Sequence, residues 1–220
     1  MHQTVKNLIN IQNLIKSKLS DLKKIDSFPK IIAVSKTFKM ENILPLIEYG
    51  HYDYGENKVQ EAIDKWTEIK SKNNLIKLHL IGKLQTNKVK LAIRLFDYIH
   101  SLDSEKLAKK ISDEQKNQNK KLKIFIQINI GNELQKSGIK DYELIDFYNY
   151  CKELNLDIIG TMCLPPINKD ANFYFLKMCE INKKINFKEL SMGMSSDYLN
   201  AIKYNSTYLR IGSEIFGDRN

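Results

Sequence analysis

An α/β fold, a single (β/α)8 TIM barrel preceded by one extra N-terminal helix, is what this sequence predicts. Three observations predict it. Eight short apolar runs alternate with segments of helical period, the pattern of a parallel sheet with crossover helices. Eight such repeats are the number that closes a sheet on itself. No Gly-rich GxGxxG turn follows the first run, which argues against the rival open, doubly wound sheet. The 220 residues include only 4 prolines and 9 glycines and no Ser/Gly/Pro-rich linker, so the chain, 1–220, reads as one domain.

The elements follow in order. An amphipathic helix comes first, with Val5, Leu8, Ile11, Ile15, Leu19 and Leu22 as its apolar stripe. The first strand, "KIIAVSK" (30–36), is almost wholly apolar and closes on Lys36. Further strands are expected at 52–57, 78–82, 98–103, 123–130, 157–164, 189–194 and 208–216. Helical segments fall between them at about 41–49, 58–70, 84–95, 104–117, 141–154, 170–184 and 196–204. In the second of these, Val59, Ala62, Ile63, Trp66 and Ile69 share one face.

Composition excludes several classes. No window approaches the roughly 18 consecutive apolar residues of a membrane span. The polar, amphipathic N-terminus lacks the design of a secretion signal. The three cysteines are odd in number and form no CxxC pair, so neither disulfides nor zinc are expected and a cytoplasmic location fits. The net charge of +9 is spread over helices in which lysines stand beside acidic residues, without interleaved aromatics. Nucleic-acid binding is therefore not expected, whereas an anionic ligand fits.

In a barrel, chemistry sits at the C-terminal ends of the strands. Lys36 stands there. A lysine at that place can simply snorkel into water. Partial desolvation instead favours the neutral amine, which attacks an aldehyde to give a Schiff base. Asn57 either caps a helix starting at Lys58 or touches a ligand, and the two roles are compatible. Arg210 alternates with Leu209 and Ile211; if these face the helices, Arg210 points into the barrel and needs a partner. Ser195, Ser196 and Asp197 are cap-type residues that open a helix, Gly212 admits a close backbone approach, and Ser213 adds a hydroxyl. Capping alone accounts for the serines. Two such loops at adjacent strand ends favour phosphate. A phosphorylated aldehyde satisfies all these groups, and pyridoxal 5′-phosphate matches that description. His79 and His100 have no partner at metal-pair spacing and are read as structural or supporting; no metal site and no catalytic residue is assigned.

The ordered motifs "AVSKT", "YGENKVQE", "HLIGKLQTNK", "HSLDS", "QINI", "KSGI", "GTMCLPP", "LSMGMSSD" and "LRIGSEIFG" span nearly the whole chain. In these the sequence resembles the YggS/PROSC family of pyridoxal phosphate homeostasis proteins. The resemblance implies a barrel like the N-terminal domain of bacterial alanine racemase. It implies that Lys36 holds the cofactor as a Schiff base and that Asn57 neighbours it. Ser195, Gly212 and Ser213 would contact the phosphate, and Arg210 would face the pyridine nitrogen. Many members have threonine where this chain has Ser213, and the hydroxyl is kept. A guanidinium beside the ring nitrogen disfavours its protonation and weakens the ring as an electron sink. The stop at Asn220 is read as leaving no second domain to supply a racemase's catalytic tyrosine. The implied function is to buffer and deliver pyridoxal phosphate, as a monomer, with little or no turnover and with PLP-dependent apo-enzymes as recipients. A racemase-like enzyme using the same cofactor is the alternative, and a class I aldolase comes third.

Overall fold

The computed structural model describes residues 1–218. Eight parallel strands close into a barrel in sequence order: β1 (Lys30–Val34), β2 (Asp53–Glu56), β3 (Lys77–Leu80), β4 (Tyr98–Leu102), β5 (Lys123–Ile128), β6 (Asp157–Cys163), β7 (Glu189–Met194) and β8 (Tyr208–Ile211). Closure comes from β8 lying against β1, with Lys30 opposite Tyr208 and Ile32 opposite Arg210.

Helix α1 (Gln3–Asp21) precedes the barrel, as the stripe predicts. Val5, Leu8, Ile11, Ile15 and Leu19 are buried, each worth about 1.5–3 kcal/mol of apolar burial. Leu22, just past the helix end, is only half-buried. The crossover helices are α2 (Met40–Tyr49), α3 (Val59–Lys72), α4 (Val89–Leu95), α5 (Glu105–Asn117), α6 (Leu144–Glu153), α7 (Ala171–Lys184) and α8 (Tyr198–Lys203), followed by the single turn α9 (Ser213–Phe216). The face of α1 packs on α2, α8 and α9, and Asn7 Nδ2 donates to the Ile215 carbonyl at 3.0 Å. This anchors the turn that follows β8.

Several boundaries differ from the sequence reading. Strand β1 stops at Val34, so Lys36 lies in the following loop rather than in the strand. The run expected as strand to residue 216 leaves the sheet after Ile211 and becomes α9. Residues Thr86–Lys88 and Asp141–Glu143 form 3₁₀ turns that lead into α4 and α6. Neither turn contains a buried residue, so apolar periodicity could not separate them from the helices they open.

The core has two layers. The larger lies between sheet and helices and includes Leu209 and Ile211. The inner layer, inside the barrel, holds Ile32, Tyr98, Phe125, Met162 and Tyr208. This parity turns Arg210 inward, as alternation predicts. Among the described residues no helix is long and apolar enough to cross a membrane, and no cluster of metal-ligating side chains occurs. Cys151, Cys163 and Cys179 are all free and buried.

Candidate functional site

At the C-terminal mouth lies a cavity of about 620 Å³, within the range of small-molecule sites. Lys36, Asn57, Ser195, Arg210, Gly212 and Ser213 all line it. Six residues from the ends of four strands, spread over 178 positions from Lys36 to Ser213, thus meet in one place.

Lys36 is half-buried and held by its neighbours. Ser35 is fully buried; its N–H donates to the Gly55 carbonyl at 3.0 Å and its hydroxyl donates to Glu56 Oε1 at 2.8 Å. The Ser35 carbonyl accepts from Lys65 Nζ at 2.8 Å. On the other side Thr37 has φ +70°, a left-handed conformation that a β-branched residue adopts at a cost on the order of 1–3 kcal/mol. Its N–H donates to Glu61 Oε1 at 2.5 Å. Lys65 ties both sides together, lying 3.0 Å from Glu56 and 3.1 Å from Glu61. Trp66 Nε1–H donates to the same Glu56 oxygen at 2.9 Å. This buried cluster fixes the turn that presents Lys36. Sequence reasoning missed it. The Glu61–Lys65 spacing of i,i+4 was a visible signal; the reach from Lys65 to Ser35 and Glu56 was not.

Asn57 is not the cap of α3. The residue before the helix is Lys58, and it makes no side-chain capping bond. Asn57 is instead set by backbone packing. A Cβ on Gly82 would stand 2.4 Å from the Asn57 carbonyl oxygen, so only glycine lets the end of β3 approach this closely.

Arg210 is buried and finds two neutral partners. Nη1–H donates to Ser191 Oγ at 2.7 Å and Nη2–H to the Cys163 carbonyl at 2.8 Å. Burial pushes the guanidinium down, opposed by Cys163 and Asp197, but from a start so high that it keeps its proton at neutral pH. Burial raises Asp197, while its bond from the Met194 N–H at 2.6 Å and the charge of Arg210 pull the other way.

Ser195 reaches across to β8, accepting from the Gly212 N–H at 3.2 Å. The helix expected to supply a dipole here, α8, has only six residues, and the turn α9 has four. The corner therefore offers individual N–H groups and hydroxyls rather than a long-helix dipole. Ser213 is exposed at the start of α9.

The cavity is completed by residues beyond those singled out from the sequence, notably Lys83 and the loop Gln135–Ser137. Lys136 is engaged by Glu133 at 2.7 Å and by the Pro165 carbonyl at 3.1 Å. Among the described residues, no His, Tyr, Cys, Asp or Glu lines the cavity. Its amines, guanidinium, amides and hydroxyls suit an anionic electrophile.

A closed parallel barrel with these groups at its C-terminal mouth belongs to a known class of barrel: the family model described as alanine racemase, N-terminal domain, matches residues 12–220. Full-length relatives narrow the class, and the chain belongs to the pyridoxal phosphate homeostasis protein family. The relative of that name from Pasteurella multocida is 35% identical, over 97% of this chain and 96% of its own. The human relative of that name is 34% identical, over 95% of this chain and 82% of its own. Among solved structures, PipY of Synechococcus elongatus PCC7942 with PLP bound superposes with a TM-score of 0.77 at 30% identity, covering 92% of this chain and 100% of that one. Alanine racemase of Clostridium difficile 630 shares the fold at 16% identity and a TM-score of 0.74; the alignment covers 98% of this chain and 56% of the racemase.

Proposed function

We propose that this protein binds pyridoxal 5′-phosphate reversibly, through the amine of Lys36, and serves to buffer and deliver it with little or no turnover. One observation carries the reading: a single cavity gathers Lys36, Arg210 and the Ser195–Gly212–Ser213 corner. The residues fit the cofactor. When bound, it supplies an aldehyde that condenses with a primary amine, with release of water. Lys36 provides the amine. The Ser195 and Ser213 hydroxyls and the N–H groups around Gly212 provide donors for a phosphate. Arg210, donating and never accepting, suits an unprotonated ring nitrogen. Asn57 lies beside them in the lining. The family name of its relatives and the PLP-bound structure of PipY support the same reading.

Low turnover is supported by the lining. Proton transfer at an amino acid's α-carbon needs a positioned acid or base. Apart from the lysines, the described lining offers none, and Arg210 leaves the ring a weak electron sink. The whole chain, 1–220, acts on this reading as one cofactor-binding unit, as a cytoplasmic monomer, with PLP-dependent apo-enzymes as recipients.

Addition of pyridoxal phosphate should produce a visible imine band. Borohydride should then fix one cofactor per chain, mapped by peptide mass spectrometry to Lys36. Persistence of that adduct at the site in Lys36→Ala would defeat the assignment. The racemase-like alternative is favoured by the match to the alanine racemase family model. Incorporation of solvent deuterium at the α-carbon of amino acids, lost in Lys36→Ala, would establish it.

A further inference from the structure

Five side chains from five strands form one hydrogen-bonded line through the barrel. At the N-terminal rim, the carboxylate of Asp53 lies 3.0 Å from His79 Nε2. His79 Nδ1 lies 3.0 Å from His100 Nε2. His100 Nδ1 lies 2.9 Å from Ser191 Oγ, which accepts from Arg210 Nη1 at 2.7 Å. Both histidines and Ser191 are fully buried. The line thus joins the barrel floor to the guanidinium that lines the ligand cavity.

Its polarity is fixed at both ends. A carboxylate only accepts and a guanidinium only donates, while a neutral imidazole has one donor and one acceptor. His79 must therefore donate Nε2–H to Asp53 and accept at Nδ1. His100 must donate Nε2–H to His79 and accept at Nδ1. Ser191 must donate its single proton to His100, leaving its oxygen to accept from Arg210. Every ring nitrogen and the serine proton are used, and both rings are neutral in the same tautomer. An added proton sets the line against itself. With His79 charged, Nδ1–H faces a donor; turning His100 over to receive it makes Ser191 accept from both His100 and Arg210 and leaves its own proton without an acceptor in the line.

The groups packed around the rings agree with this state. His79 faces Asp53, Tyr98 stacked at 4.1 Å, Tyr208, and Lys30, which lies 3.7 Å from Asp53. His51 and Asp97 act on it from further away, the first directly and through Asp53. His100 faces Phe125 stacked at 4.3 Å, Tyr98, Tyr208, Ser191 and the charge of Arg210. Burial holds both rings below the ordinary histidine value, His100 well below it.

We propose that this line positions Arg210, and that Asp53 at the far rim is a positioning residue for the cavity. The proposal concerns the ligand-free protein, and only its consequence for pyridoxal phosphate rests on the reading above. The test is nitrogen-15 NMR of the histidine rings and arginine side chains in the ligand-free protein. At pH 7, the rings of His79 and His100, assigned by single substitution, should both be neutral Nε2–H tautomers. Arg210 should show a slowly exchanging guanidinium signal. Asp53→Leu, which removes the acceptor, should release the His79 and His100 tautomers and shift that signal. Asp53→Asn, which keeps an accepting oxygen, should retain both. An Nδ1–H tautomer or an imidazolium at either ring in the wild type overturns the proposal, and that measurement decides alone if Asp53→Leu does not fold. An Arg210 signal unchanged in folded Asp53→Leu also overturns it. Pyridoxal phosphate affinity of Asp53→Leu should fall about threefold or more, the size expected within one hydrogen-bond network. A protein that shows the NMR signatures yet binds no pyridoxal phosphate keeps the line and refutes the cofactor reading instead.

Discussion

Replacing Lys65 with methionine isolates the support beneath Lys36. The ammonium is mostly buried, with 11% side-chain exposure, and Glu56 is fully enclosed. Methionine keeps the bulk and removes three bonds: to Glu56 at 3.0 Å, to Glu61 at 3.1 Å and to the Ser35 carbonyl at 2.8 Å. The Glu56 carboxylate then keeps only Ser35 Oγ–H and Trp66 Nε1–H as donors; its Oε2 already has no hydrogen-bond partner. Stranding one partner of a buried pair costs about 3–5 kcal/mol. For a chain of this size each kcal/mol lowers the melting temperature by about 2–4 °C. The expected fall is therefore roughly 6–20 °C, measured by calorimetry or by urea unfolding of the ligand-free protein. Adding Glu56→Gln to Lys65→Met removes the stranded charge, so the double variant should be more stable than the sum of the singles by about 0.5–3 kcal/mol. A loss below about 1 kcal/mol in Lys65→Met, the range of exposed ion pairs, would refute the reasoning.

Further outcomes follow from the same geometry. His79 and His100 are held below the ordinary value near 6.5, so the unfolded chain binds more protons than the folded one as pH falls past that value. Stability should be complete above about pH 6.5 and fall below it by up to about 1.4 kcal/mol per pH unit per ring; urea titrations from pH 8 to 5 read the slope, and a flat profile contradicts buried neutral rings. Gly82→Ala puts a methyl group 2.4 Å from the Asn57 carbonyl and should cost about 1–3 kcal/mol while weakening ligand binding, read by unfolding and by ligand titration. Burial pushes the Cys151 and Cys163 thiols up to about 12, so neither should react with a thiol reagent at pH 8 until urea unfolds the chain.

Much of this was legible in the sequence because it is local. Strand and helix periods report burial, and they placed all eight strands near their observed positions. Strand parity alone turned Arg210 inward, and its neighbours Leu209 and Ile211 do face the helices. What was not legible depends on register between distant segments. Lys65 supports Lys36 only because α3 returns along β2, and Asp53, His79, His100 and Ser191 align only after the barrel has closed. Asn57 looked like a helix cap because the helix start was read one residue early, whereas Gly82 fixes it from another strand. The loop carrying Lys136 has no apolar period to betray its place in the lining.

The central claim is that Lys36 is the amine that takes the aldehyde. Borohydride reduction of the protein loaded with pyridoxal phosphate, followed by peptide mass mapping, tests it most directly. One reduced cofactor per chain is expected, on Lys36, lost in Lys36→Ala. A stoichiometric adduct on another lysine with Lys36 unmodified would contradict it.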